Sequence, residues 1–188
     1  MEAKLSALIE SAGRGEPAAA DALFGALYEE LHRLADRQLA RFGPGGALAT
    51  TSLLHEAYLD MAAREGTSFP DRSRFFGYAA RVMRGLIVDR LRAGKAQKRG
   101  GGFEITALAG DEPVAAGERL EIERLNDALL ELEAVEPGLA HLVDLKYFCG
   151  FTFAEIGALR GITERSAQRQ WDRARLFLRR ALDGQATA

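Results

Sequence analysis

The chain predicts an all-α protein: two small helical domains joined by a flexible linker, the second of them containing a helix-turn-helix. Three observations carry this. Apolar residues recur at three- and four-residue intervals, and nothing alternates with period two for long enough to propose a sheet. Most stretches are rich in Ala, Leu, Arg and Glu and only 5 of 188 residues are proline, which favours helix. A single glycine-rich, weakly periodic segment, GKAQKRGGGFEITALAGDEPVAAG, divides the chain. The expected boundaries are a first domain over 1–93, a linker over 94–117 and a second domain over 118–188.

In the first domain, Phe24, Leu27, Leu31 and Leu34 share one face of a long helix expected from Ala18 to Phe42, ended by GPGG at 43–46. A second helix follows Thr51 or Ser52, either of which suits an N-cap, and carries Leu54, Tyr58 and Met61. EGTSFPDRS reads as a loop, and a third helix runs from about Asp71 to Ala93. In the second domain, Leu120, Leu125, Leu129 and Leu132 mark one helix, and Pro137 opens another bearing Leu139, Leu142, Val143 and Leu145.

The end of the chain, FTFAEIGALRGITERSAQRQWDRARLFLRR, is the most informative stretch. Thr152 and Glu155 have capping-box spacing, Gly161 suits a left-handed helix stop, and Thr163 can cap the next helix. Two helices joined by so short a glycine turn are the mark of a helix-turn-helix, with the small Gly157 where they touch and Ile162 plugging the turn. On the last helix, Ala167, Trp171, Ala174, Leu178 and Ala181 form a core face. Arg165, Arg169, Arg173 and Arg180 lie opposite, flanked by Ser166 and Gln168 near the N-terminal end. That is the end a recognition helix presents to the major groove, where Arg pairs with guanine, Gln with adenine, and other arginines with phosphates.

A second basic helix partitions as cleanly. Phe75, Ala79, Val82, Met83, Leu86 and Ile87 cover one side; Arg74, Arg81, Arg84, Arg92 and Lys95 cover the other, with Tyr78 among them. Cations beside an aromatic ring suit single-stranded nucleic acid, the cations holding the backbone and the ring stacking on a base. Charge is distributed to match. Arg81–Arg99 carries +6, Arg160–Arg180 carries +5 and the remainder −13, within a net charge of −2. Two basic segments in an acidic frame imply two local polyanion contacts.

Other classes find little support. The lone Cys149 rules out an internal disulfide and a cysteine zinc site, and reads as a buried structural thiol beside Tyr147 and Phe148. His32, His55 and His141 are too scattered for a metal constellation, and no catalytic Ser/His/Asp set or phosphate loop occurs. The expectation is a non-enzyme with no cofactor, no metal and no small-molecule substrate. With no secretory signal or bilayer-spanning run, it is expected in the cytoplasm and off the membrane. The helix-turn-helix by itself leaves as the alternative a transcriptional regulator that acts without being a polymerase subunit.

Taken together, TSLLHEAYLDM, SRFFGYAARVMRGLIVDRLR and the quoted C-terminal stretch resemble, in that order, the segments of an extracytoplasmic-function (ECF) sigma factor of bacterial RNA polymerase. The resemblance covers about 18–93 and 118–182. It implies that Leu53, Leu54, His55, Glu56, Tyr58 and Leu59 bind the clamp of the largest polymerase subunit. It implies that Arg74, Tyr78, Arg81 and Arg84, with the Glu65–Ser73 loop, recognise and melt the −10 promoter element. Arg165, Ser166, Gln168, Arg169 and Arg173 would read the −35 duplex, and the linker would thread through polymerase. Core polymerase, including the flap of its second subunit, and promoter DNA are then the partners, with an anti-sigma factor as a further one. The chain departs from the common pattern at Thr51-Ser52, which replace an acidic pair, and at His55 and Arg84, where glutamine and asparagine are frequent.

Overall fold

Leucine-rich amphipathic segments of this kind bury their apolar stripes only by packing on one another, and the computed structural model shows how they do so. It describes residues 7–42, 48–63, 69, 71–99 and 116–185, apart from positions 10, 13 and 15. The GPGG stop at 43–46, most of the 65–73 loop and positions 100–115 of the expected linker lie outside the described residues. Every regular element among the described residues is a helix.

The expected first helix is two: α1 (Pro17–Ala26) and α2 (Tyr28–Phe42). They separate at Leu27, whose φ of −108° and ψ of 7° leave the helical well. Gly25 lies just before the break, where it weakens the helix by about 1 kcal/mol relative to alanine. Helix α3 (Thr50–Ala63) begins before the expected caps, and the Thr50 hydroxyl instead donates to the Asp36 carboxylate. Helix α4 (Arg72–Arg99) is capped by Asp71, which accepts from the Arg74 N–H at 2.9 Å and the Ser73 hydroxyl at 2.7 Å. It continues past Ala93, six residues into the expected linker. Helices α2, α3 and α4 pack face to face around Leu31, Leu53, Leu54, Phe75, Met83 and Ile87, all buried.

In the second half, α5 (Ala116–Val135) leads to α6 (Pro137–Val143), opened by Pro137 as the sequence predicts. The helix then widens into a π turn over Asp144–Phe148, with the Cys149 N–H donating to the Asp144 carbonyl at 2.9 Å. Nothing in the periodicity announces that turn. Helices α7 (Phe153–Arg160) and α8 (Glu164–Gln185) close the chain, and α5, α6 and α8 enclose Leu129, Leu132, Leu142 and Ala174.

The two halves are not held apart. Helix α4 lies against the π turn, α5, α6 and α7, and α2 also touches the π turn. Buried residues from both halves form one continuous cluster, and the Phe76 ring meets Phe151 edge-on at 5.8 Å between centroids.

A shared core has a measurable consequence. Phe76→Ala, in the first half, is expected to cost about 3–5 kcal/mol as a buried aromatic truncation. It should lower the urea midpoint reported by the fluorescence of Trp171, the only tryptophan, in the second half. An unchanged Trp171 transition would mean that the halves unfold independently.

Candidate nucleic-acid and polymerase surfaces

Local chemistry sets the geometry of α7 and α8. Thr152 accepts from the Glu155 N–H at 3.2 Å, and the Glu155 carboxylate accepts from the Thr152 N–H at 2.7 Å, completing the capping box. These bonds hold the Glu155 carboxyl below its usual range. Gly161 adopts φ 64°, ψ 32° at the stop. A Cβ on Gly157 would stand 2.7 Å from the Ile162 carbonyl, so only glycine lets the turn close on α7. Thr163 then caps α8, accepting from the Ser166 N–H at 3.1 Å. Along α8 the side chains of Arg165, Gln168, Arg169 and Arg173 are exposed and Ser166 is half-buried. Arg173 is tied to Glu136 at 2.6 Å. Ala167 and Ala174 are buried, whereas Trp171, expected in the core, is half-buried against Phe153.

On α3 the expected polymerase-binding set divides. Leu53 and Leu54 are fully buried, so in this form they support the helix from beneath rather than meet a partner. His55 and Leu59 are exposed, while Glu56 and Tyr58 are half-buried. Glu56 pairs with Arg90 of α4. The Tyr58 hydroxyl donates to Asp21, a bond that raises its pKa.

The α4 ridge departs most from expectation. Arg74 is exposed and the half-buried Tyr78 stacks near Phe69, ring centroids 5.1 Å apart. Arg84, expected on an open face, is only 5 % exposed. Its guanidinium bonds Asp144 at 2.7 Å and Asn126 at 3.2 Å, and lies 4.7 Å over the Phe148 ring. Arg81 is half-buried, paired with Glu133 and 3.6 Å from Asp144. Arg92 reaches Asp127 at 3.1 Å. The ridge faces the second half because that half carries carboxylates at matching positions, which a helical wheel drawn for α4 alone does not reveal.

The profile of the ECF sigma factor family matches residues 2–184, both halves and the segment between them. The chain belongs to that family. It is an RNA polymerase sigma factor, of a class of transcription factors rather than enzymes. No curated protein matches it. No helix among its described residues is long and apolar enough to cross a membrane.

Further features of this sigma factor lie around these surfaces, and of them only the buried Cys149 thiol is anticipated by the sequence. An open apolar groove of about 540 Å³ runs between α5, the π turn and α8, lined by Leu125, Leu129, Tyr147, Trp171 and Leu178. At the junction of the halves, Arg37 and Arg41 of α2 donate to the carbonyls of Cys149 and Tyr147. The Cys149 thiol is buried against the Phe76 carbonyl at 3.6 Å, and burial pushes its pKa up. Finally, His141 of α6 seats its ring on Gly77 of α4, with Nε2 3.3 Å from the Ser73 hydroxyl. A Cβ at Gly77 would fall 2.6 Å from His141 Cε1.

Burial pushes the His141 imidazole down to about 4, reinforced by Arg74, Arg160 and Arg81 and opposed by Asp71. A folded pKa below the ordinary 6.5 means that the native state favours the neutral ring. The resulting stability is intact above about pH 6.5 and is lost as pH falls toward 4. Between pH 7 and pH 5, wild type should lose about 2 kcal/mol more than His141→Gln, measured by urea unfolding at both values. Equal losses would show that the ring does not titrate out of its seat.

Proposed function

We propose that this sigma factor binds core RNA polymerase and directs initiation at promoters with two recognised elements, its two halves being the family's two promoter-reading domains. The observation that carries this reading is the α7–α8 pair: a capped helix, a glycine-closed turn, and a second helix whose exposed N-terminal half bears Arg165, Gln168 and Arg169. That arrangement suits insertion into the major groove, Arg169 and Arg165 reaching guanine edges or phosphates and Ser166 and Arg173 flanking them. Arg173 would exchange Glu136 for phosphate, carboxylate and phosphate being alike to a guanidinium.

Helix α3 would meet the polymerase clamp through the exposed His55 and Leu59, with Glu56 and Tyr58 at the edge and Leu53 and Leu54 behind. The groove between α5 and α8 offers an apolar seat for the flap of the second large subunit. Helix α4 would take the melted −10 strand along Arg74, Tyr78, Arg81 and Arg84, with Tyr78 and Phe69 supplying ring surface for an unstacked base. A cytoplasmic site of action and control by an anti-sigma factor fit the same reading.

Reconstituted run-off transcription tests the whole. Purified chain plus core enzyme should start at the promoters of transcripts induced by its overproduction, and core enzyme alone should not. Absence of specific starts would defeat the reading. Arg169→Ala should cost about 1–3 kcal/mol at one upstream base pair if its contact is bidentate; uniform weakening on all sequences would mark a phosphate contact. Tyr78→Ala should reduce permanganate reactivity of the opened bubble while sparing closed-complex binding. Normal reactivity would remove Tyr78 from melting.

A further inference from the structure

We propose that in the free chain the second half is an acidic cover over the strand-binding ridge of α4, so that the sigma factor stores its melting face closed until the halves part. The inference rests on the reading of that ridge as the −10 strand surface. Three of its arginines pair with carboxylates of the second half: the buried Arg84 meets Asp144, the half-buried Arg81 meets Glu133 and Asp144, and Arg92, at the exposed rim, meets Asp127. Carboxylate oxygens satisfy a guanidinium fork as phosphate oxygens do, so Asp127, Glu133 and Asp144 occupy the chemistry a DNA backbone would require. Bound strand and bound cover are therefore mutually exclusive.

The seam has the character of a contact made to open. Beside the apolar contact of Phe76 with Phe151 it carries the ion pairs of Arg84 and Arg81, and such pairs set which surfaces meet more than they stabilise the meeting. Its register is set by His141 seated on Gly77, a fit that one methyl group would destroy. Around it, Arg37 and Arg41 donate to backbone carbonyls at the end of the π turn, and Arg41 also lies 4.6 Å over the Tyr147 ring. The cover is also selective. Arg165 and Arg169 on α8, and His55 and Leu59 on α3, remain exposed in the closed form. The upstream reader and the polymerase-facing helix are thus available while Arg81 and Arg84, the middle of the melting ridge, are not.

Two variants test this from different directions. Glu133→Gln with Asp144→Asn removes the covering charge, whereas Gly77→Ala expels His141 by volume. All proteins carry Arg165→Ala and Arg169→Ala so that α8 does not contribute to binding. Circular dichroism confirms retained helix; should one variant lose it, the other decides. Small-angle scattering should give the unsubstituted ridge protein a radius of gyration near the roughly 16 Å of a compact chain of this length, and larger values for the variants. Anisotropy with a fluorescein-labelled single-stranded DNA of about 20 nucleotides should show roughly tenfold tighter binding by the variants, as expected if the open form rises from about a tenth of molecules to nearly all. An extended parent protein overturns the closed form. Variants that stay compact at unchanged affinity overturn the role of the seam, and variants that open without gaining affinity overturn the masking. Run-off transcription by the unsubstituted chain reports separately on the sigma-factor reading, so the two failures are distinguishable.

Discussion

A guanidinium taken out of water loses several kcal/mol of hydration, and only close, complete pairing offsets it. Arg84 is in that position, and its partners all come from the other half of the chain: the carboxylate of Asp144, the amide oxygen of Asn126 and the face of Phe148. Asp144 is as deeply buried. Neither residue is tolerable there without the other, so the relative placement of the halves is dictated at this point. Arg81, Arg92 and His141 then add contacts whose geometry is already determined.

The π turn makes the pairing possible. In the apolar run from Leu139 to Phe148, Asp144 is the sole acid, and a wide turn begins at that residue. The turn places Asp144, Leu145 and Phe148 together on the buried side, one serving the arginine and two serving the core. On the function proposed above such a joint has to be reversible, since halves locked into one body could not reach two separated promoter elements.

Much of the architecture was legible from residue order because it follows from local rules. Pro137, the Thr152–Glu155 box and the Gly161 stop depend on near neighbours in sequence, and each lies where its chemistry requires. The exposed tip of α8 was legible for the same reason. What the wheel misjudged depends on distant residues: it assigned Arg84 to solvent because it weighs a side chain against its own helix and not against Asp144, 60 residues away. Two signals were present in retrospect, an aspartate amid apolar residues and a glycine, Gly77, inside a long helix. Each is ambiguous alone, and only their meeting across the seam explains them.

Cys149 lies at that seam, its sulfur against the Phe76 carbonyl and its thiol held protonated by burial. Thiolate is the form that reacts with alkylating reagents and peroxide, so the closed molecule is chemically quiet despite carrying a free sulfur. A separation of the halves, as proposed above, would take that sulfur out of its seat. As the single cysteine of the chain, it would then report each separation by its alkylation, without any added label.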